Sequence, residues 1–210
     1  MPLELTGPDR AALLRVLAVS QERGFIGPGS LDPHLQRALD MAAVLSALPR
    51  RALDLGSGGG LPGLPLALLF AGTEWVLLDG SVTRCTFLTE AVTELGLAGR
   101  VAVRAARAEE AGRDGGLRGS FDLVVARSFG PPAATAECAA PFLEVGGRLV
   151  VAEPPGSTGE RWQAEGLAKL GMRPLSTVTQ PSAVTLLTQD RPCPPTYPRR
   201  TGVPAKRPLF

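Results

Sequence analysis

The feature that most restricts this chain is the run Asp54-Leu55-Gly56-Ser57-Gly58-Gly59-Gly60, which directly follows the apolar stretch 51–55. Glycine tolerates the positive backbone angles of a tight turn and lets a ligand approach the main chain, with amides facing it. A second acid, Asp79, ends the next apolar stretch 25 residues later. A carboxylate at the end of a second strand is placed to accept both ribose hydroxyls of an adenosine-type cofactor. An acid-x-Gly-x-Gly-x-Gly turn paired with that acid points to S-adenosylmethionine. Gly58-Gly59-Gly60-Leu61-Pro62-Gly63 also satisfies the dinucleotide pattern G-x-G-x-x-G. It begins two residues late relative to the strand and is preceded by Asp54, so the dinucleotide reading fits poorly.

Around this turn the chain alternates strand and helix. Strands are expected at 51–55, 75–79, 101–104, 121–126 and 148–153, with helices at 62–70, 81–95, 131–143 and 160–170. Stretches 173–179 and 183–189, joined by Gln180-Pro181-Ser182, read as an antiparallel pair. The expected fold is α/β: a Rossmann-like, doubly wound, mostly parallel sheet closed by a C-terminal hairpin. Two helices, 8–22 and 32–48, form an N-terminal cap, with Asp32 read as the N-cap of the second and Pro33 as its first residue. The expected organisation is a cap at 1–48, a cofactor-binding domain at 49–190 and a basic proline-rich tail at 191–210. Six prolines from Asp190 onward argue against regular structure in that tail.

Composition narrows the chemistry. The apolar fraction of 44% suits a packed domain. The longest apolar stretch, 61–71, is too short and interrupted to cross a bilayer. The N-terminus lacks a signal-peptide pattern, so a cytoplasmic location and no membrane association are expected. His34 is the single histidine, which removes most histidine-based nucleophilic and zinc chemistry, and no metal site is expected. Cys85, Cys138 and Cys193 have no CxxC spacing and read as reduced thiols. Pro192-Cys193 resembles the nucleophile pair of C5-cytosine enzymes but lies on the proline tail, which favours a structural reading. Arg199, Arg200, Lys206 and Arg207 accumulate where no acid follows Asp190, a pattern suited to phosphate contacts.

In such a sheet, ligands bind beyond the carboxyl ends of the strands. Arg107-Ala108-Glu109-Glu110 follows the third strand, where an adenine ring is usually met. Arg127-Ser128-Phe129 follows the fourth, where an Asn- or Asp-Pro-Pro-aromatic segment would mark amino-group methylation. That segment is absent, and Glu153-Pro154-Pro155-Gly156 follows the fifth strand instead. An acceptor with a free lone pair, such as guanine N7, needs no strong base. Its methylation would rest mainly on alignment, with Arg127 holding a phosphate or guanine O6.

Gly60-Leu61-Pro62-Gly63, Arg107-Ala108-Glu109-Glu110, Arg127-Ser128-Phe129, Pro141-Phe142-Leu143 and the basic tail together resemble the GidB/RsmG family of 16S ribosomal RNA guanine-N7 methyltransferases. The resemblance covers most of the chain from about residue 30. It implies a cofactor site at Asp54, Gly56, Ser57, Gly58, Leu61, Asp79, Ala108 and Glu109, with Gly60 completing the turn. It also implies that Arg107 and Arg127 serve the reaction and the RNA. The expected partner is 16S ribosomal RNA or the small ribosomal subunit, and a monomer is favoured. Two departures stand out. Glu153-Pro154-Pro155 replaces the family's Lys-Gly, and the cap lacks the Trp-Asn and Asn-Leu-Thr segments. A methyltransferase of another RNA or of a small molecule, and a non-catalytic cofactor-binding protein, are the alternatives.

Overall fold

A computed structural model describes residues 4–210. Seven strands form one sheet: β1 (Arg51–Leu55), β2 (Glu74–Asp79), β3 (Val101–Ala105), β4 (Phe121–Arg127), β5 (Leu143–Ala152), β6 (Met172–Val178) and β7 (Val184–Gln189). Their order is β3-β2-β1-β4-β5-β7-β6, and only β7 runs against its neighbours. The order reverses between β1 and β4, where Asp54 pairs with Val125 and Leu55 with Ala126. Arg127, one residue further along β4, therefore emerges beside the glycine turn. Topology alone brings these two distant segments together.

The twofold strand period sorts the buried side chains onto two faces. Ala52, Leu77, Leu123 and Val125 pack with the helices α1 (Gly7–Glu22), α2 (Asp32–Ala43), α3 (Gly63–Leu69) and α4 (Val82–Glu94). Leu53, Leu55, Leu78, Val124 and Ala126 pack on the opposite face under α5 (Ala108–Ala111), α6 (Pro132–Ala139) and α7 (Ala164–Lys169). Asp54 has the parity of Ala52, so its carboxylate faces α3 and not solvent.

The cap is part of the first of these cores. Thr6 caps α1 by accepting the Asp9 amide at 3.2 Å. The buried stripe on this helix is Leu13, Val16, Leu17 and Ser20. Ser20 completes a helical i, i+3, i+4, i+7 pattern and donates its hydroxyl to the Gly59 carbonyl at 3.0 Å. The cap of α2 differs from the expectation. Leu31 occupies the N-cap without a side-chain bond, and Asp32 lies inside the helix, paired with Arg10 of α1. This helix ends at Ala43, five residues short of the expected end, and α7 begins four residues later than expected.

The tail also departs from expectation, because α8 (Val203–Lys206) gives it a helical turn. Pro204 sits in its first turn, where a missing N–H costs nothing. The preceding prolines remove donors but leave carbonyls, and arginines of the main domain fill them. Arg118 donates to the carbonyls of Tyr197, Cys193 and Pro194 at 2.8 to 2.9 Å, and Arg113 donates to that of Pro198. The carboxylate of Glu137 on α6, fully buried, accepts from the Arg199 backbone amide at 2.8 Å and from its guanidinium at 2.6 to 3.1 Å.

Removing one member of such a pair strands a buried charge, at a cost of about 3–5 kcal/mol. Arg199→Ala is expected to lower the unfolding free energy measured by urea denaturation by that amount. Arg200→Ala, one residue away and exposed, is expected to leave it within about 0.5 kcal/mol.

Candidate cofactor and acceptor site

Two strand-end carboxylates fix the turn between β1 and α3. The Gly63 amide donates to Asp54 Oδ2 at 3.0 Å, and the Gly58 amide donates to Asp79 Oδ2 at 2.8 Å. The Gly56 and Ser57 amides both donate to the Leu78 carbonyl, tying the turn to β2. Gly56 and Gly58 have φ of 75° and 53°. A Cβ on Gly63 would lie 2.5 Å from Asp54 Oδ2, and one on Gly59 would lie 2.5 Å from Ser20 Oγ. Thus the glycines serve two ends. Some allow the reversal of the chain, while Gly59 and Gly63 make room for the cap helix and the carboxylate.

Asp54 is fully buried, and its Oδ1 has no hydrogen-bond partner. Burial pushes its pKa up to about 7. An unmatched buried acceptor beneath a backbone cradle suits a ligand that brings a cationic group. Asp79 accepts the Ser81 amide at 2.8 Å on Oδ1 as well as Gly58 on Oδ2. A carboxylate has about four acceptor positions, so two remain for a pair of hydroxyls. Ser57 and Leu61 line the cleft above, together with Phe25, His34 and Arg127. Gly60 lies under the turn, with its φ of 95° and the Leu64 side chain against it.

On the other side of Asp79, Ala108 is buried at the start of α5. Arg107 is exposed and lies against Gly80. Glu109 has a different arrangement from the one its motif suggests. It is buried, and its Oε1 accepts the Gly202 amide of the tail at 2.8 Å, with Arg107 at 3.7 Å. Arg199, expected at the RNA, is engaged by Glu137, whereas Arg200, Lys206 and Arg207 are exposed.

Arg127 reaches across the switch point to α2, where one guanidinium nitrogen contacts His34 Nδ1. Its Nη1 is buried without a partner. Burial, then Arg127 and Arg37, lower the pKa of His34, so the imidazole is neutral near pH 7 and accepts from Arg127. Ser128 follows with φ of 55°, the left-handed region that non-glycine residues rarely adopt. This kink sends Phe129 back over the turn, and its ring lies where a Gly56 Cβ would be, 2.6 Å from that position. Arg127 borders a second cleft too, formed with Arg37, Phe129, Glu153, Arg161 and Trp162.

Sequence reasoning placed Asp54, Gly56, Ser57, Gly58, Gly60, Leu61, Asp79, Ala108 and Arg127 at one sheet edge, and the structure brings them together. It missed Ser20, Arg37, Arg161 and Trp162. Of these, only Ser20 carried a signal, as the polar member of an apolar helical stripe. The thiol of Cys193 is part-buried, and burial pushes its pKa up to about 11, which agrees with a structural role.

A sheet of this order, with a glycine turn and two acids at its switch edge, defines a class I S-adenosylmethionine-dependent methyltransferase. The T. thermophilus 16S rRNA N2 methyltransferase (RsmC), solved with AdoMet and guanosine, superposes with a TM-score of 0.52 at 27% identity. That match covers 79% of this chain and 41% of that one. The family model for rRNA small subunit methyltransferase G (GidB) matches residues 16–167, and the chain belongs to that family. Its relatives named ribosomal RNA small subunit methyltransferase G include one from Moorella thermoacetica, 36% identical over 76% of this chain and 69% of that protein. Another, from Rubrobacter xylanophilus, is 36% identical over 86% of this chain and 76% of its own length. Among the described residues no helix is long and apolar enough to cross a membrane, and no cluster of three metal-ligating side chains occurs.

The raised pKa of Asp54 sets a pH dependence. Without cofactor, the folded protein keeps a proton that the unfolded chain releases above its usual value of 3.8. Stability from this group is full at low pH and is lost as pH rises through about 7. A cationic ligand favours the ionised form, so affinity moves the other way. S-adenosylmethionine binding, followed by calorimetry, is expected to tighten roughly tenfold between pH 5.5 and 7, and Asp54→Asn to flatten that profile.

Proposed function

We propose that this enzyme transfers a methyl group to N7 of a guanine in 16S ribosomal RNA. The observation that carries this reading is the placement of Arg127. It stands beside the glycine turn with an unpartnered Nη1, and it occupies the imidazole of His34, its neighbour on the cap. His34 already accepts from Arg127, and Asp54 holds the Gly63 amide beneath the turn on the cofactor side. An acceptor that must lose a proton is poorly served here, whereas guanine N7 offers a lone pair and has no proton to lose.

S-adenosylmethionine supplies the electrophilic methyl group when bound. Asp79 would hold its ribose hydroxyls, Ala108 would line the adenine, and Asp54 with the amides of Gly56 to Gly60 would face its amino-acid portion. Arg127 would donate from Nη1 to guanine O6, which lies on the same edge as N7 and so fixes the lone pair in line. Glu109 would act on the adenine side indirectly, by fastening the tail to α5. Exposed Arg107, Arg200, Lys206 and Arg207 would meet phosphates of the strand. The natural division is a cap at 1–48, a transfer domain at 49–190 and a tail at 191–210. The protein would work in the cytoplasm as a monomer, on RNA or on a small subunit.

The test is the N7-methylguanine content of 16S rRNA in a deletion strain, with and without the restored gene. Restored modification is expected, and rRNA identical in all strains would sink the ribosomal reading. Asp79→Ala is expected to weaken cofactor binding by about a hundredfold, as two hydrogen bonds to a charged acceptor are lost. Arg127→Ala is expected to bind cofactor within about threefold of the parent and to lose methyl transfer by about a hundredfold, the scale of one lost orienting contact.

A further inference from the structure

The second cleft beside Arg127 has a charge arrangement that the cofactor site does not explain. Its centre is Glu153, immediately after β5, whose side chain is 1% exposed. Both carboxylate oxygens are engaged. Oε1 accepts from the indole nitrogen of Trp162, and Oε2 accepts from Arg161 at 3.0 Å and from the Ser157 hydroxyl at 3.1 Å. The Glu153 backbone carbonyl accepts from Arg37 of α2 at 3.2 Å. Glu153 therefore holds two arginines at the cleft, Arg161 from the segment before α7 by its carboxylate and Arg37 from the cap by its backbone carbonyl.

Arg127 stands at the same cleft, giving three guanidiniums against one carboxylate. Glu153 offsets part of the charge of Arg161, while Arg37 meets only a neutral carbonyl. Arg127 has a neutral imidazole on one nitrogen and nothing on another. Burial first, and then the charge of Arg37, push the pKa of Arg127 down, with Asp54 opposing them. Planar guanidiniums converging in a part-buried cleft suit the oxygens of a phosphate.

We propose that Glu153 is a positioning residue whose carboxylate sets Arg161, beside the Arg37 held on its backbone carbonyl, to grip a backbone phosphate of the acceptor RNA strand, next to the base held by Arg127. The proposal rests on the RNA-methylation reading above. It gives Glu153-Pro154-Pro155 a function: a buried acid recruits a more distant arginine to the acceptor cleft. Arg161→Ala leaves the Glu153 carboxylate, 1% exposed, without a counter-ion, as Arg199→Ala leaves Glu137, so the double variant with Glu153→Gln, which removes both charges, carries the same KM and salt-slope test where the single variant is unstable.

The test uses the whole protein with small subunits from the deletion strain, and calorimetry with guanosine 5′-monophosphate and guanosine as probes. Arg161→Ala is expected to raise KM for subunits about tenfold, with kcat within about twofold and cofactor affinity unchanged, as for loss of one phosphate contact. The slope of log KM against log salt should fall by about 0.7. Arg161→Lys should restore part of the loss. Glu153→Gln should shift KM in the same direction and add little in the Arg161→Ala background, because the two act as one unit. The parent should bind the monophosphate more tightly than the nucleoside, and Arg161→Ala should level the two. An unchanged KM and salt slope in Arg161→Ala, or equal binding of both probes by the parent, overturns the phosphate site while methylation by the parent leaves the broader reading standing. Lower kcat at constant KM likewise overturns it. A parent that retains the monophosphate preference but methylates no RNA removes the broader reading instead.

Discussion

The hydrogen bond from the Gly63 amide to the buried Asp54 carboxylate holds the most consequential part of the molecule together. It joins the end of β1 to the first turn of α3, and the glycine loop between them has no freedom to drift. The companion bond from Gly58 to Asp79 ties the same loop to β2. Neither bond contributes much net stability, since a typical hydrogen bond is worth about 1 kcal/mol. Their value lies in geometry: they set the backbone amides before a ligand arrives. The cost is an acceptor, Asp54 Oδ1, left unmatched inside the protein. Such unmet groups are rare in native interiors, and here one lies beneath the backbone of the glycine turn.

Local chemistry that repeats along the chain was readable in advance. The alternation of apolar stretches with turn residues defined the strands, the hairpin and the crossover helices, since β pairing and helix burial leave periodic marks. The turn and Asp79 were readable because backbone reversal demands glycines and the acid that receives the Gly58 amide ends the next strand at a fixed spacing. The cleft built by Arg37, Glu153 and Arg161 was not readable. Its members are separated by 116 residues between Arg37 and Glu153, and each is an ordinary charged residue in isolation. Only the folded sheet puts them together. The fate of Arg199 was hidden for the same reason, because nothing near Glu137 in sequence marks it as a buried acid awaiting a partner. The helical turn in the tail is masked by its proline content, because Pro204 sits in the first turn, where a proline gives up no hydrogen bond.

The cap and the tail touch the sheet edge at different points. Ser20 holds the cap on Gly59, so the closest approach of cap and loop depends on a hydroxyl and on the absence of a Cβ. His34 and Arg37, two more cap residues, lie one helical turn apart on α2 and meet Arg127 and Glu153 respectively. The tail holds α5 through Glu109 and α6 through Glu137. The cofactor edge is thus bounded by the two ends of the chain, while the sheet supplies only its floor.

The clamp between Glu137 and Arg199 also makes one helix of the sheet's flank depend on the tail. The two residues are 62 positions apart, so Arg199 emerges long after α6 has been made. Until then a carboxylate destined for the interior has no counter-ion, and burying it in charged form costs several kcal/mol. The seating of α6 thus draws on a segment that lies 62 residues further along the chain.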